Sequence, residues 1–172
     1  MSDYASIRRL LAADLPAYKL LRDELLLAHP EAFTSDAASE KVREPAEYLQ
    51  RLGLDRREGG HFVIGAWRDG WLVGAAGCER ETRVKVRHVG HIVGMMVTPR
   101  ARGRGIGRDL LDAAVAGGRD GGLEMLMLSV TAGNVAAIRL YETSGFVRCG
   151  SMPRALRIGS VYHDKLQMVL PL

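Results

Sequence analysis

The glycine-rich stretch at residues 97–108 constrains the fold more than any other part of this sequence. Its sequence is Val-Thr-Pro-Arg-Ala-Arg-Gly-Arg-Gly-Ile-Gly-Arg. Before it, Val84–Val97 is rich in Val and Ile and predicts a strand, whereas Gly105–Gly117 has the spacing of an amphipathic helix. Leu123–Val130 is almost continuously apolar, which is typical of a buried central strand. The chain therefore contains a strand–helix–strand unit, Val93–Val130, whose connecting loop is rich in glycine and arginine.

The segments before this unit predict a strand, two helices and a β-hairpin. Ile7–Leu11 predicts the first strand, Asp14 caps a helix with one apolar face, and Pro45–Leu52 predicts a second helix. The turn that contains Asp69-Gly70 is a strong hairpin signal. The two hairpin strands are His61–Trp67 and Trp71–Cys78.

The segments after the unit predict a helix over Asn134–Ser144 and two strands within Val147–Leu172, on either side of Gly159-Ser160. The predicted order is β-α-α-β-β-β-α-β-α-β-β. This order favours an α/β fold with a mixed, largely antiparallel sheet of about seven strands and helices on both faces. A length of 172 residues fits a single domain over 1–172.

The composition is that of a folded protein in the cytoplasm. Hydrophobic residues make up 47% of the chain and charged residues 26%, which suits a packed core with a solvated surface. The N-terminal residues lack the apolar stretch of a signal peptide, and no uncharged apolar run reaches the roughly 18 residues that span a bilayer. Cys78 and Cys149 are too few and too far apart to predict a disulfide scaffold or a metal site. We therefore expect no membrane partner and no metal.

The glycine-rich loop has the features of a phosphate site. Glycines at positions 103, 105 and 107 let the backbone turn tightly and approach a ligand closely. The first amides of the following helix have no partner within it and lie at the positive end of its dipole, which favours an anion. Arg102, Arg104 and Arg108 could add charge-assisted hydrogen bonds. A flexible surface loop stays an alternative; the Walker and dinucleotide-binding loops are disfavoured because their spacing is absent.

A second motif covers residues 134–146. Asn134 suits the N-cap of a helix, and Gly145 suits a left-handed C-cap. In such a cap, Phe146 packs back on Leu140 and Tyr141, so the tyrosine is held in one position. Asn134 and Tyr141 are seven residues apart and lie on one face of the helix.

Together these motifs resemble the GNAT superfamily of acyl-coenzyme A-dependent N-acyltransferases. The resemblance rests on Met95-Met96-Val97, on Arg102-Gly-Arg-Gly-Ile-Gly107, and on the segment from Asn134 through Tyr141 to Phe146. It implies an enzyme that takes acetyl-CoA as co-substrate and acetylates an amine. It also implies a set of cofactor-binding residues: Met95, Met96, Val97, Arg102, Gly103, Arg104, Gly105, Ile106, Gly107, Arg108, Asn134 and Tyr141.

The resemblance gives these residues distinct roles. The backbone of Met95–Val97 would pair with the pantetheine arm, the amides of Gly103–Arg108 would hold the pyrophosphate, and Asn134 would contact the pantetheine. Tyr141 would protonate the departing sulfur.

The general base is less defined by the sequence. Family members that acetylate protein N-termini often carry a glutamate five residues before the asparagine, where this chain has Ser129. We therefore favour the primary amine of a small molecule as acceptor. We select Glu79 as the candidate base; Glu81, His88 and His91 stay open, and Tyr162 and Asp164 are further candidates to line the acceptor site.

Other functions stay open at this point. A protein N-terminal or lysine acetyltransferase, a non-catalytic acetyl-CoA-binding regulator and a nucleic-acid-binding module are the alternatives. The last would use the loop arginines against phosphates, but aromatic residues are only 6% of the chain and no recognition motif is present, so no nucleic acid is expected. Self-association as a homodimer is compatible with the sequence.

Overall fold

A computed structural model describes residues 5–56 and 59–172. Within these ranges, seven strands form one sheet in the order β1-β2-β3-β4-β5-β7-β6. The pair β4–β5 is parallel and every other neighbouring pair is antiparallel. The predicted α/β class with a mixed, largely antiparallel sheet is confirmed. The strands are β1 Ser6–Arg9, β2 Phe62–Arg68, β3 Trp71–Arg80, β4 Val89–Val97, β5 Met125–Thr131, β6 Val147–Ile158 and β7 Val161–Pro171.

Helices cover both faces of the sheet, as predicted. The first helix buries Tyr18, Leu21, Leu25 and Leu26, which are the residues of its apolar stripe. It packs on one face together with Tyr48. The opposite face is covered by Leu110 and Ile138 from two later helices. The helices are α1 Leu15–Ala28, α2 Ala37–Lys41, α3 Tyr48–Arg51, α4 Ile106–Asp120 and α5 Val135–Thr143.

The predicted strand over Val84–Val97 begins too early. Residues Val84–Val86 form a 3-10 turn, and β4 starts only at Val89. The side chain of Val84 is 84% exposed, because the charged residues around it leave this segment no apolar face to bury.

The helical segments differ from the prediction at three points. The region predicted as a helix over Pro45–Leu52 is a 3-10 turn followed by the short α3. The helix α2 was not predicted because its five residues carry no apolar stripe; Asp36 caps it by accepting a hydrogen bond from the Ser39 amide. Asp14 stands before α1, but its carboxylate binds the Leu11 amide and Arg8 rather than the amides of α1.

Helix α4 continues past its predicted end at Gly117 to Asp120. A Cβ atom at Gly117 would lie 2.7 Å from the ring of Phe62 in β2. The glycine therefore allows the helix to approach the sheet closely and does not end it.

The sheet opens between β4 and β5. In the described part of the chain these strands pair only from Val89–His91 to Met125–Met127. Beyond that point β4 contains a bulge, since the register with β3 shifts between Ala75 and Gly77 and Gly94 has φ +58°. The ends of the two strands diverge, and the backbone of β4 after residue 91 has no strand on its β5 side. This opening positions the candidate site.

A buried ion-pair cluster connects α1, α2 and α3, and it makes stability depend on pH. Burial by itself would raise the pKa of the Glu40 carboxyl, but hydrogen bonds from Arg51, Tyr48 and Arg22 lower it to about 2. A depressed folded-state pKa stabilises the protein above the unfolded value of 4.5, and this stability is lost as the pH falls toward 2. We expect acidification from pH 6 to pH 2 to remove about 2–3 kcal/mol through this group. Urea denaturation across this pH range measures it.

The matched comparison is Glu40→Gln against Glu47→Gln, since the Glu47 side chain is 51% exposed. Glu40→Gln should be less stable than wild type at pH 7, because Arg22 loses its partner, and it should lose less stability on acidification. Equal pH dependence in wild type and Glu40→Gln would contradict the assignment.

In the described part of the chain, no helix has the length and apolar character needed to cross a membrane.

Candidate active site

A cavity of about 730 Å³ lies where β4 ends and α4 begins. Its walls are the end of β4, the glycine-rich loop, the N-terminus of α5 and the segment after α1. The predicted cofactor-binding residues that line it are Met95, Met96, Val97, Arg102, Gly103, Gly105, Ile106, Gly107 and Asn134. The fold thus brings most of the residues predicted from the loop, the strand and the asparagine helix to one cavity.

The loop backbone has the conformation expected of an anion site. Gly103 and Gly105 have φ +74° and +79°, a region that favours glycine. A Cβ atom at either position would meet no atom within 4 Å, so the loop is open toward the cavity. Gly105 is the N-cap of the 15-residue helix α4. The loop therefore combines an open backbone surface with the positive end of a helix dipole.

The loop arginines make different contacts. The Arg102 Nε donates to the Val97 carbonyl at 3.1 Å. Arg108 turns away from the cavity: its Nε donates to Asp112 at 3.2 Å and its Nη1 to the Thr143 carbonyl at 3.1 Å. The Arg104 side chain is exposed and does not line this cavity. In this arrangement, the guanidinium of Arg108 connects α4 to α5, and its amide donates to the Gly105 carbonyl at 2.9 Å.

Helix α5 is capped as predicted. The Asn134 side chain accepts a hydrogen bond from the Ala137 amide at 3.2 Å. Gly145 has φ +93°, and the Phe146 amide donates back to the Tyr141 carbonyl. The rings of Tyr141 and Phe146 meet edge to face with centroids 5.9 Å apart. Both ends of α5 are therefore fixed, and so is the position of Tyr141.

A second cavity, of about 430 Å³, lies on the other side of the β4 opening. It lies against α1, the segment after it, α3, α5 and side chains of β3, β4, β5 and β7. It shares part of its wall with the first cavity: Ala32, Phe33, Met95, Asn134, Ala137 and Leu140 line both. The two spaces are neighbours, separated by side chains that line both.

Tyr141 lines this second cavity while being only 6% exposed. Burial raises the pKa of its hydroxyl to about 12. No hydrogen-bond partner for this hydroxyl occurs among residues 5–56 and 59–172. A tyrosine in this environment is neutral at assay pH and keeps its proton available for donation.

The candidate bases differ in position. Glu79 and His91 are directly opposite each other in the β3–β4 pair, and both line the second cavity. Glu81 lies just beyond β3 and contacts the His91 Nε2 at 3.2 Å. His88 is exposed and lines neither cavity. Ser129 also lines the second cavity, where its hydroxyl accepts from Gln167 at 3.3 Å, whereas Tyr162 and Asp164 do not line it.

The wall of this cavity also contains a polar cluster that the sequence did not predict. Arg22 Nε donates to Glu40 at 2.9 Å, and Arg51 donates to the other oxygen of the same carboxylate. Both guanidinium groups also donate to the Ser35 hydroxyl. The cluster comes from four separate segments, so no local pattern could identify it. Groups of three or more His, Cys, Asp or Glu suited to a metal are absent from the residues that the structure describes.

Known proteins with similar sequences and folds are acetyltransferases. The model of the acetyltransferase (GNAT) family matches residues 18–146. N-alpha-acetyltransferase RimI of Mycobacterium tuberculosis is 39% identical over 115 residues, which are 66% of this chain and 67% of that protein. A mycothiol acetyltransferase of Geodermatophilus obscurus is 32% identical over 122 residues, 70% of this chain but 37% of that protein. The chain thus spans about two fifths of the length of the mycothiol acetyltransferases that it matches.

Solved structures agree over the whole described fold. The ribosomal-protein-alanine N-acetyltransferase of Brucella melitensis superposes with a TM-score of 0.83 at 28% identity, covering 97% of this chain and 99% of that one. A phosphinothricin acetyltransferase of Sinorhizobium meliloti, solved with acetyl-CoA, has the same fold, with a TM-score of 0.84 at 23% identity and coverage of 98% and 89%. The family model matches most of the length of this chain, and the glycine-rich loop, the opening between β4 and β5 and the capped helix α5 meet at one site. The chain therefore belongs to the GNAT family of acetyltransferases, whose co-substrate is acetyl-CoA.

Proposed function

We propose that this protein transfers the acetyl group of acetyl-CoA to the primary amine of a small acceptor. The observation that carries this proposal is the pair of adjoining cavities at the β4–β5 opening. The first has the loop and strand suited to an elongated phosphate-bearing donor. The second contains Tyr141 and Glu79, which have the chemistry needed for acyl transfer.

The donor would lie along β4 with its pyrophosphate on the loop. The amides of Gly103–Gly107 would hold the pyrophosphate, because they combine an open backbone with a helix N-terminus, whereas the Arg108 amide already donates to the Gly105 carbonyl. The backbone edge at Met95–Val97, which has no β5 partner in the described part of the chain, would pair with the pantetheine arm in the manner of a strand once Arg102 releases the Val97 carbonyl. Asn134 lines both cavities and would contact the pantetheine where it crosses from one to the other. The thioester would then lie near the shared wall.

The reaction requires a neutral amine. An amine with a pKa near 10.4 is protonated at pH 7, and its deprotonation costs about 4–5 kcal/mol. A base on the acceptor side removes that proton, and the nitrogen lone pair attacks the thioester carbonyl. A backbone amide near Met96 would stabilise the resulting oxyanion. Collapse of the tetrahedral intermediate breaks the carbon–sulfur bond, and Tyr141 donates its proton to the coenzyme A thiolate. The second proton, which the attacking nitrogen loses as the amide forms, restores the tyrosine hydroxyl directly or through water.

Glu79 is the base that we propose, acting directly or through water. Glu79→Gln keeps the size of the side chain but removes its ability to accept a proton. We expect kcat/KM to fall about 100-fold, with acetyl-CoA affinity unchanged, because general-base catalysis contributes at least this much. Initial rates of free-thiol release, combined with calorimetry, measure both quantities.

Two further variants identify the base. The Glu81 side chain contacts His91 but does not line the cavity. Glu81→Gln should therefore lower kcat/KM much less than Glu79→Gln does. A large loss in His91→Gln together with full activity in Glu79→Gln would move the role to the histidine.

Two features support a small acceptor. The second cavity has a volume of about 430 Å³, which suits a metabolite-sized molecule. Ser129 lines it at the position where members that acetylate protein N-termini often carry a glutamate. The similarity to an N-alpha-acetyltransferase supports the second candidate, a protein N-terminus.

Calorimetry with acetyl-CoA and thiol release with panels of small amines and short peptides test the proposal. We expect micromolar binding of acetyl-CoA and turnover with small amines. Absence of acetyl-CoA binding would reject the proposed activity, and turnover with peptides alone would establish the protein acceptor instead.

A further inference from the structure

The helical wall of the second cavity is built around two arginines that share one carboxylate. Arg22 comes from α1 and Arg51 from α3, and both line the cavity. Glu40 lies between them with its side chain 5% exposed. The Tyr48 hydroxyl donates to the same carboxylate at 2.7 Å. The two guanidinium groups are thereby fixed in position, since each is held at one end by Glu40 and at another by Ser35.

The fixed arginines carry more positive charge than Glu40 neutralises. The side chain of Arg22 is 8% exposed and that of Arg51 is 36% exposed, so one is buried and the other is open to the cavity. A third cation, Lys165 of β7, also lines the cavity and donates to the Thr34 hydroxyl at 2.6 Å. Burial lowers the pKa of Lys165, which indicates a poorly hydrated environment.

The opposing negative charge is small. Among the described residues that line this cavity, Glu79 is the one carboxylate. It lies on β3 opposite His91, whereas Arg22 and Arg51 come from α1 and α3; Arg51 and Glu79 also line one small neighbouring pocket together. The cavity is therefore polarised, with a carboxylate on the sheet wall and fixed guanidinium groups on the helical wall.

We infer that the acceptor is an amine that also carries a carboxylate, as an amino acid does, with the carboxylate held by Arg22 and Arg51 and the amine directed toward Glu79. This inference rests on the proposed function. Guanidinium groups bind carboxylates through paired, charge-assisted hydrogen bonds. A carboxylate in this position neutralises a poorly solvated positive charge, so the empty site is preorganised for it.

The same arrangement disfavours other amines. A polyamine or an aminoglycoside brings additional positive charge next to Arg22, Arg51 and Lys165. A peptide N-terminus has a neutral amide carbonyl where an amino acid has its carboxylate, so the arginines would gain no charged partner. The polarised cavity thus selects acceptors by their anion as well as by their amine.

Matched acceptor sets test the inference. For methionine and for phenylalanine, three compounds are compared: the free L-amino acid, its α-amide and the decarboxylated amine. A pool of the other L-amino acids is likewise compared with a pool of their α-amides. Free-thiol release in the presence of saturating acetyl-CoA measures the rate in each case. We expect kcat/KM for the acids to exceed that for their amides and decarboxylated amines by about 10- to 100-fold, the range expected of a hydrogen bond to a charged group. Calorimetry with acetyl-CoA is run in parallel.

The variant Arg51→Gln should remove most of this preference by raising KM for the acids, with little change for the amides. Arg43→Gln is the matched control, because Arg43 also approaches Glu40, at 3.6 Å, but does not line the cavity. Arg51→Lys should recover part of the preference. Thermal unfolding of each variant checks that the fold is intact.

Three outcomes overturn the inference. In the first, the wild type acetylates the amides and decarboxylated amines as well as the acids or better. In the second, it acetylates none of the acids, and in the third, a folded Arg51→Gln variant keeps the preference for acids. None of these outcomes contradicts the proposed acetyl transfer as long as the protein binds acetyl-CoA. Failure of the proposed function would instead appear as loss of acetyl-CoA binding itself.

Discussion

Replacing Gly105 with glutamate is expected to weaken acetyl-CoA binding by about 1,000-fold, because like charges placed together in a binding site cost several kcal/mol. Two effects add at this position. Gly105 has φ +79°, where a residue with a Cβ atom is strained. The new carboxylate would also occupy the open side of the loop, where the pyrophosphate is proposed to bind. Calorimetry with acetyl-CoA measures the loss.

Gly70→Glu is the control for this variant. Gly70 lies in the β2–β3 turn with φ +81° and open space around it, so it matches the backbone strain of Gly105 at a position that lines neither cavity. Gly105→Ala separates strain from charge and should cause a smaller loss than glutamate. Wild-type affinity in a folded Gly105→Glu variant would rule out the loop as the pyrophosphate site.

Replacing Tyr141 with phenylalanine is expected to lower kcat by at least about 100-fold, the usual contribution of a positioned acid. The affinity for acetyl-CoA should not change. Phenylalanine keeps the ring that packs against Phe146, so only the hydroxyl is lost. Because the pKa of this hydroxyl is raised to about 12, the wild type keeps this hydroxyl protonated through the whole neutral and mildly alkaline range. Steady-state turnover from pH 7 to pH 9, with calorimetry at one pH, separates the effect on chemistry from binding.

Tyr162→Phe is the matched control, since this tyrosine is 43% exposed and lines neither cavity. It should keep wild-type turnover. Unchanged kcat in Tyr141→Phe would show that the thiolate leaves without a proton from this residue.

Several features of the protein could be predicted from the sequence because neighbouring residues determine them. Positive φ at Gly103 and Gly105 follows from glycine itself, and the N-terminus of α4 follows from the change from glycine to an amphipathic pattern. The cap at Asn134 and the left-handed turn at Gly145 likewise need only the residues within α5. The α/β class followed from the order of such local elements.

Other features were decided by tertiary structure. Glu79, Glu81 and His88 are all candidate bases by sequence, because each is a titratable residue on or near a predicted strand. The β3–β4 register places only Glu79 of these three on the wall of the second cavity. Arg108 was expected to face a phosphate, but packing of α4 beside α5 gives its guanidinium partners at Asp112 and Thr143.

The arginine cluster is the clearest case. Arg22, Glu40 and Arg51 are 18 and 11 residues apart along the chain, and each by itself has the pattern of a solvated charge. The sequence by itself determined the glycine-rich loop and the capped helix, because backbone conformation and capping depend on adjacent residues. Only the tertiary structure decided the composition of the second cavity, because its walls are side chains from distant segments that meet when the helices pack on the sheet.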